Sequence, residues 1–85
     1  MHEFSLIKDL LHKVTTTALT QQATRVRGIK VKLGALSHIS PDHFREHFIH
    51  AARGTVAESA ELIIEVMTDA DAPFSQEMLL EYIEI

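Results

Sequence analysis

The chain has 85 residues, of which 46% are hydrophobic, so it can form one small domain with a single core. Its net charge of −4 and lack of a basic block argue against nucleic acid or an anionic membrane as the main partner. No apolar run is long enough to cross a membrane. The absence of cysteine excludes disulfides, cysteine-based zinc sites and thiol catalysis. Together these features favour a soluble cytoplasmic protein.

The first segment begins Met-His-Glu and continues as an amphipathic stretch. A secretory signal needs a basic region and then an apolar run that ends in small residues, and neither is present. We therefore expect position 1 to be the N-terminus of the mature protein. Apolar residues then recur at helical spacing from Phe4 to Ala18, which predicts a first helix that ends near Gln22.

A strand and a second helix are predicted next. The strand alternates apolar and basic residues, as expected for one buried face, and its apolar positions are Val26, Ile29, Val31 and Leu33. The sequence has capping signals at both ends of this helix. Ser40 suits the N-cap, Pro41 the first helical position, and Gly54 the left-handed position after the last turn. Its apolar stripe comprises Phe44, Phe48, Ala51 and Ala52.

The segment AELIIEVM predicts a second strand, the polar segment 68–76 a loop, and MLLEYIEI a third strand. The order helix–strand–helix–strand–strand predicts an α/β (α+β) fold with two helices packed on one face of a three-stranded mixed sheet. If the first two strands are parallel, the crossover between them is right-handed. Lys30, Lys32 and Glu65 then face solvent. The connection before the last strand permits either a hairpin or a crossing to the other edge, so strand order stays open.

The Met-His-Glu start offers a compact set of metal ligands. The Met1 amine, the His2 backbone nitrogen and the His2 imidazole can close adjacent chelate rings around one ion, and the Glu3 amide or carboxylate can complete the coordination. Ni(II) or Cu(II) favours such a square-planar, nitrogen-rich site. A histidine at position 2 is common, however, and these three residues alone favour a frayed terminus over a metal site.

Two later motifs add to this pattern. They are Gly34, Leu36, Ser37 and Pro41, and then Gly54, Thr55, Ala57, Ala60 and Leu62. With the Met-His-Glu start and the amphipathic helix, they resemble, in the same order, the HypA family of nickel metallochaperones. That family helps to mature nickel–iron hydrogenases and, in some organisms, urease. The resemblance extends over about residues 1–67.

The resemblance implies a non-enzymatic nickel-binding domain of two helices on a three-stranded mixed sheet. Ni(II) is then held by Met1, His2 and Glu3, which match the family motif. The resemblance also implies delivery of nickel together with a HypB-like GTPase, and a hydrogenase large subunit as a further partner. No Gly-rich phosphate loop is present, so the chain itself is not expected to bind GTP.

The chain departs from the family at two places. Family members insert a zinc domain with two Cys-x-x-Cys pairs between the last two strands, whereas loop 68–76 contains no cysteine. We therefore expect residues 1–85 to form a single HypA-like nickel-binding domain, in which this loop replaces the zinc domain, and we expect no structural zinc. Ala35 stands where glutamate is frequent. The chain is either an excised nickel domain or a natural, degenerate paralogue, and the loop composition favours the paralogue.

Three histidines share one side of the second predicted helix. His43, His47 and His50 have i, i+4 and i, i+3 spacing. With His38 nearby they can be interpreted as a metal-binding face. A half-exposed helix flank that titrates near neutral pH is the favoured interpretation.

Two other function classes remain beside the leading one, a nickel-binding accessory protein. The first is a degenerate HypA-like interaction or scaffold protein that no longer delivers nickel and binds a partner through its first helix or an open strand edge. The second is a small enzyme built around His38, His43 or His47, which would need a defined pocket. In addition, the two edges of a three-stranded sheet invite strand pairing between copies, so we expect a homodimer.

Overall fold

The structure, a computed structural model, describes residues 3–73 and 75–85, with the backbone alone at Glu3. It has five elements in the predicted order. They are α1 (Glu3–Thr20), β1 (Gly28–Leu33), α2 (Pro41–Ala52), β2 (Glu61–Val66) and β3 (Met78–Glu84). The predicted fold class is confirmed: two helices and a mixed three-stranded sheet. Within the described ranges, no helix is long and apolar enough to cross a membrane.

β1 is the central strand, and the sheet order is β2-β1-β3. β1 and β2 are parallel and are joined through α2, whereas β3 runs antiparallel to β1 on its other side. The last strand therefore crosses to the opposite edge and does not form a hairpin with β2. Its connection passes the end of β1, where the Gly34 N–H donates to the Glu77 carbonyl at 2.8 Å and the Leu36 N–H donates to the Ser75 carbonyl at 2.7 Å.

The core lies between the helices and one face of the sheet. All four apolar positions predicted for the first strand segment are fully buried. The largest buried side chains are Ile7, Leu10, Val14, Val26, Ile29, Val31, Leu33, Phe44 and Phe48. Both helices contribute to the same buried cluster, which confirms that they cover one face of the sheet.

The ends of α2 agree with the sequence prediction. The Ser40 hydroxyl accepts a hydrogen bond of 3.4 Å from the His43 backbone N–H, and Pro41 is the first helical residue. At the other end, Arg53 is the C-cap and its N–H donates to the His50 carbonyl. Gly54 follows with a φ of 78°, in the left-handed region that residues with a Cβ disfavour.

Gly54→Ala is expected to lower the free energy of unfolding by about 1 kcal/mol, because the new Cβ disfavours the left-handed backbone. No described atom lies within 4 Å of the added Cβ, so the cost comes from backbone strain and not from a clash. Denaturant unfolding measures it. Arg53 has an ordinary φ of −59°, and Arg53→Ala is the control, with a change below about 0.5 kcal/mol. Equal losses at the two positions would contradict this explanation.

The sheet face opposite the helices carries an ion-pair network, in agreement with the predicted solvent-facing positions. The Lys30 ammonium lies 3.1 Å from the Glu81 carboxylate and 3.3 Å from the Glu65 carboxylate, and Lys32 lies 3.5 Å from Glu81. Hydrogen bonds to Glu81 and then to Glu65 raise the pKa of Lys30. The hydrogen bond from Lys30 is the main cause of the lowered pKa of Glu81.

Glu81→Gln is expected to destabilise the fold most between the ordinary pKa values of Glu81 and Lys30, which are 4.5 and 10.5. Because the pKa of Glu81 is lowered, its contribution is present above pH 4.5 and is lost as the pH falls through the folded-state value. Because the pKa of Lys30 is raised, its contribution is present below pH 10.5 and is lost as the pH rises through the folded-state value.

Urea unfolding of the parent and Glu81→Gln over a pH series measures this dependence. The difference in the free energy of unfolding between the two proteins should be small, since the ion pairs are partly exposed to solvent. Glu58 is an exposed acid in the turn before β2, and Glu58→Gln is the matched control for loss of one negative charge. A difference between parent and Glu81→Gln that does not vary with pH would contradict the ion-pair assignment.

Candidate metal centre

The predicted nickel ligands are the first three residues of the sequence. Met1 and His2 are outside the described residues, and Glu3 is described by its backbone alone as the first residue of the helix. The coordination by Met1, His2 and Glu3 therefore stays a prediction. What the structure adds is the backbone environment from Glu3 onward.

The backbone at the start of α1 suits coordination through amide nitrogen. The first four N–H groups of an α-helix have no acceptor within the helix, and Glu3 is the first residue of α1. Loss of the Glu3 amide proton to a metal therefore breaks no hydrogen bond of the helix. The next residues, Phe4 and Ser5, are exposed, and the buried part of α1 begins at Leu6. Metal binding before Leu6 can thus proceed without disturbing the core.

A cleft of about 290 Å³ lies beside the first turns of α1. Its lining residues are Leu6, Leu36, Ser37, His38, Ile39 and Gln76. Leu6 lines this cleft, is three residues after Glu3 and lies near the same helix face. The Glu3 backbone is therefore about 4.5 Å from that of Leu6 along the helix axis. The start of α1 and the β1–α2 connection therefore meet at one end of the sheet.

His38 belongs to this cleft. Its side chain is exposed, and its backbone has a φ of 58°, a left-handed conformation that is uncommon for residues other than glycine. The segment before it is tied by the hydrogen bonds that Gly34 and Leu36 donate to Glu77 and Ser75. The sequence grouped His38 with the histidines of the second helix, whereas the structure places it on a cleft wall with Leu6.

The histidines of α2 are brought together only in part. The rings of His43 and His47 are stacked, with centroids 6.3 Å apart and an angle of 18° between the ring planes. Among the described residues, no group of three or more histidine, aspartate or glutamate side chains is arranged to hold a metal ion. The three-histidine metal face is therefore not formed in that part of the chain.

The fold matches that of a solved protein structure. It is similar to the solution structure of the Ni metallochaperone HypA from Helicobacter pylori, with a TM-score of 0.86 and 19% sequence identity. The similarity covers 100% of this chain and 97% of that chain. The two proteins thus share one fold over nearly their whole length.

The sequence comparison identifies the family. The family model described as "Hydrogenase/urease nickel incorporation, metallochaperone, hypA" matches residues 1–71. The chain therefore belongs to the HypA family, which confirms the resemblance inferred from its motifs. The matched range includes the Met-His-Glu start, the cleft segment 36–39 and both helices.

Three relatives are described as hydrogenase maturation factor HypA. The protein from Methylocella silvestris is 42% identical over 67 residues, covering 79% of this chain and 59% of its own length. The Methanosarcina mazei protein is 36% identical over 67 residues, with coverages of 79% and 49%. The Rhizobium leguminosarum bv. viciae protein is 41% identical over 64 residues, with coverages of 75% and 57%. The chain thus spans about half to three fifths of the length of these relatives.

Proposed function

We propose that the chain is a nickel-binding accessory protein, similar to a metallochaperone, for the maturation of a nickel–iron hydrogenase or a related nickel enzyme. The observation that carries this proposal is the match of residues 1–71 to the HypA family, since that range contains the Met-His-Glu start. Nickel is the cargo of such a protein, so the chain binds and releases the ion without catalysing a reaction.

We assign Ni(II) binding to Met1, His2 and Glu3. The Met1 amine, the His2 and Glu3 backbone nitrogens and the His2 imidazole supply four nitrogen donors, the set that suits a square-planar ion. The described backbone supports this ligand set, because α1 begins at Glu3 and makes no helical hydrogen bond with that N–H.

The proposed domain is residues 1–85, with loop 68–76 in the position of the family's zinc domain. This loop contains no cysteine, so structural zinc of the Cys-x-x-Cys type has no ligands here. Its partners would be a HypB-like GTPase or a hydrogenase large subunit, which it would meet in the cytoplasm. The negative net charge supports a protein partner over nucleic acid or an anionic membrane.

A second candidate function is a HypA-like interaction or scaffold protein that no longer delivers nickel. Two exposed apolar side chains on α1 favour it, since Phe4 is 67% exposed and Leu19 is 71% exposed. Large apolar groups left in water at both ends of one helix are compatible with a protein-binding surface. In this alternative the scaffold persists and the Met-His-Glu start is a remnant.

Nickel titration of the untagged chain by calorimetry distinguishes the two functions. One ion per chain is expected to bind, and an extension of the chain before Met1 should weaken binding, because the free amine is lost. Circular dichroism of both proteins provides the control for folding. The nickel proposal fails if the untagged chain shows no binding tighter than roughly 100 μM, which corresponds to little more than a weak surface contact.

We also expect a homodimer formed through the β3 edge. β2 is the other edge, and there the Arg45 guanidinium donates to the Leu62 carbonyl, so α2 partly covers it. An uncovered edge strand favours pairing with a second chain. Light scattering over a concentration series should show the mass rising from the 9.6 kDa of one chain towards twice that value. A mass that stays at 9.6 kDa at every concentration would reject the dimer.

A further inference from the structure

The side of α2 that faces solvent carries a pair of metal-ligand side chains that belong to a different segment of the sequence from the Met-His-Glu start. His43 and His47 are four residues apart, so they project from successive turns of one helix face. Both side chains are exposed, and their rings stack with centroids 6.3 Å apart and planes 18° apart. We propose that His43 and His47 form a bidentate site for a borderline divalent transition-metal ion such as Ni(II), Cu(II) or Zn(II).

The chemistry of the pair fits this class of ion. Neutral imidazole is a common ligand for all three metals, and metal–nitrogen bonds are about 2.0–2.1 Å for zinc. Two histidines four residues apart on one helix face can each direct one ring nitrogen to a shared ion. A hard ion such as Mg²⁺ or Ca²⁺ would be disfavoured, since those ions prefer oxygen ligands.

The helix that carries the pair is held firmly in place. Phe44 and Phe48 are 0% and 1% exposed and belong to the core cluster that includes residues of the sheet, while Ser40 caps the first turn of α2. Once one histidine holds an ion, the other is therefore present at a high effective concentration. This chelate effect makes the pair bind more tightly than any single exposed histidine of the chain.

The site is weaker and more open than a four-nitrogen chelate. No third histidine or acidic side chain joins the pair to form a larger metal-binding group among residues 3–73 and 75–85, so water or a partner completes the coordination. α1 and α2 both begin at the end of the sheet where β1 ends, because Leu6 and Ile39 line one cleft there. The pair occupies the first two turns of α2, at the end of the sheet where α1 begins.

The site is tested in the His2→Ala chain, which lacks the proposed N-terminal site. Substoichiometric Cu(II), a paramagnetic ion, is added while the histidine ring signals are followed by NMR. The signals of His43 and His47 are expected to broaden before those of His12, His38 and His50. Equal broadening of all histidine signals would overturn the proposal, since it indicates binding to isolated side chains.

Affinity for Zn(II) in the same background gives a second, quantitative test. His43→Ala and His47→Ala should each weaken binding by about tenfold, because one chelating partner is lost. His50→Ala is the matched control, an exposed histidine of the same helix outside the stack, and should change the affinity by less than about twofold. A loss at position 50 as large as that at 43 or 47 would reject the pair.

The tests of the α2 pair and of the proposed nickel function can fail independently of each other. If the parent chain lacks tight nickel binding but Zn(II) affinity still depends on His43 and His47, only the proposed function fails. If His2→Ala abolishes tight nickel binding and the two α2 variants have no effect on Zn(II), only the pair fails. Alanine at these exposed helix positions favours the helical state, and circular dichroism should show α2 intact.

Discussion

His2→Ala is expected to abolish tight Ni(II) binding without changing the free energy of unfolding. The substitution removes the imidazole, which closes one chelate ring, and leaves only the amine and backbone nitrogens. The fold should be unaffected, because the buried part of α1 begins at Leu6. Calorimetric titration measures the affinity, and denaturant unfolding of the metal-free proteins measures the stability.

The involvement of backbone nitrogen gives this prediction two further readouts. Coordination by an amide requires loss of its proton, so nickel affinity should rise with pH more steeply than imidazole titration alone would give. A square-planar Ni(II) complex with nitrogen donors should also be diamagnetic and show the d–d absorption band of that geometry. Both signatures should disappear in His2→Ala.

His43→Ala and His47→Ala serve as matched controls, since each also removes one histidine from the chain. Neither should change the tight, N-terminal nickel affinity, although both affect the weaker α2 site proposed above. The ligand assignment is wrong if His2→Ala binds nickel as well as the parent chain does.

Phe48→Ala is expected to lower the free energy of unfolding by about 3–5 kcal/mol, as is usual for truncating a buried aromatic residue. Phe48 is 1% exposed and belongs to the same buried cluster as Val31 at the centre of β1. Leu33, on the same strand face, is also fully buried. The truncation leaves a cavity between α2 and the sheet that neighbouring side chains can fill only in part.

Ile49→Ala is the matched control, because Ile49 is the next residue of α2 and is 51% exposed. The free energy of unfolding of Ile49→Ala should differ from that of the parent by less than about 1 kcal/mol, since little apolar area is lost from the core and alanine favours the helix. Urea denaturation of the three proteins gives the comparison. A loss below about 1 kcal/mol for Phe48→Ala would mean that α2 is oriented differently.

The elements of the fold could be predicted because their signals are local. Alternation predicted the buried face of β1, where Ile29, Val31 and Leu33 are fully buried, and Val26 just before the strand is buried as well. The ends of α2 followed from side-chain chemistry, since Ser40 caps the first turn and Gly54 takes a positive φ after the last. The sequence also supplied Met1, His2 and Glu3 as the candidate ligands and the motifs of the HypA family.

Strand order was decided by the tertiary structure. A polar connection before β3 is compatible with either edge of the sheet, and no local pattern distinguishes them. In the folded chain, β1 becomes the centre by pairing with β2 on one side and β3 on the other. The hydrogen bonds from Gly34 to Glu77 and from Leu36 to Ser75 bring the connection past the end of β1.

The spatial grouping of the histidines was also decided by the tertiary structure. His38 and His43 are close in sequence, but His38 lines the cleft beside Leu6, whereas His43 stacks on His47 along α2. Helical spacing alone predicted the second grouping, because residues four apart share a face. The position of His38 beside Leu6 depends on β1, which brings the chain back to the end of the sheet where α1 begins. These two residues are over thirty positions apart in the sequence, and no local pattern encodes their proximity.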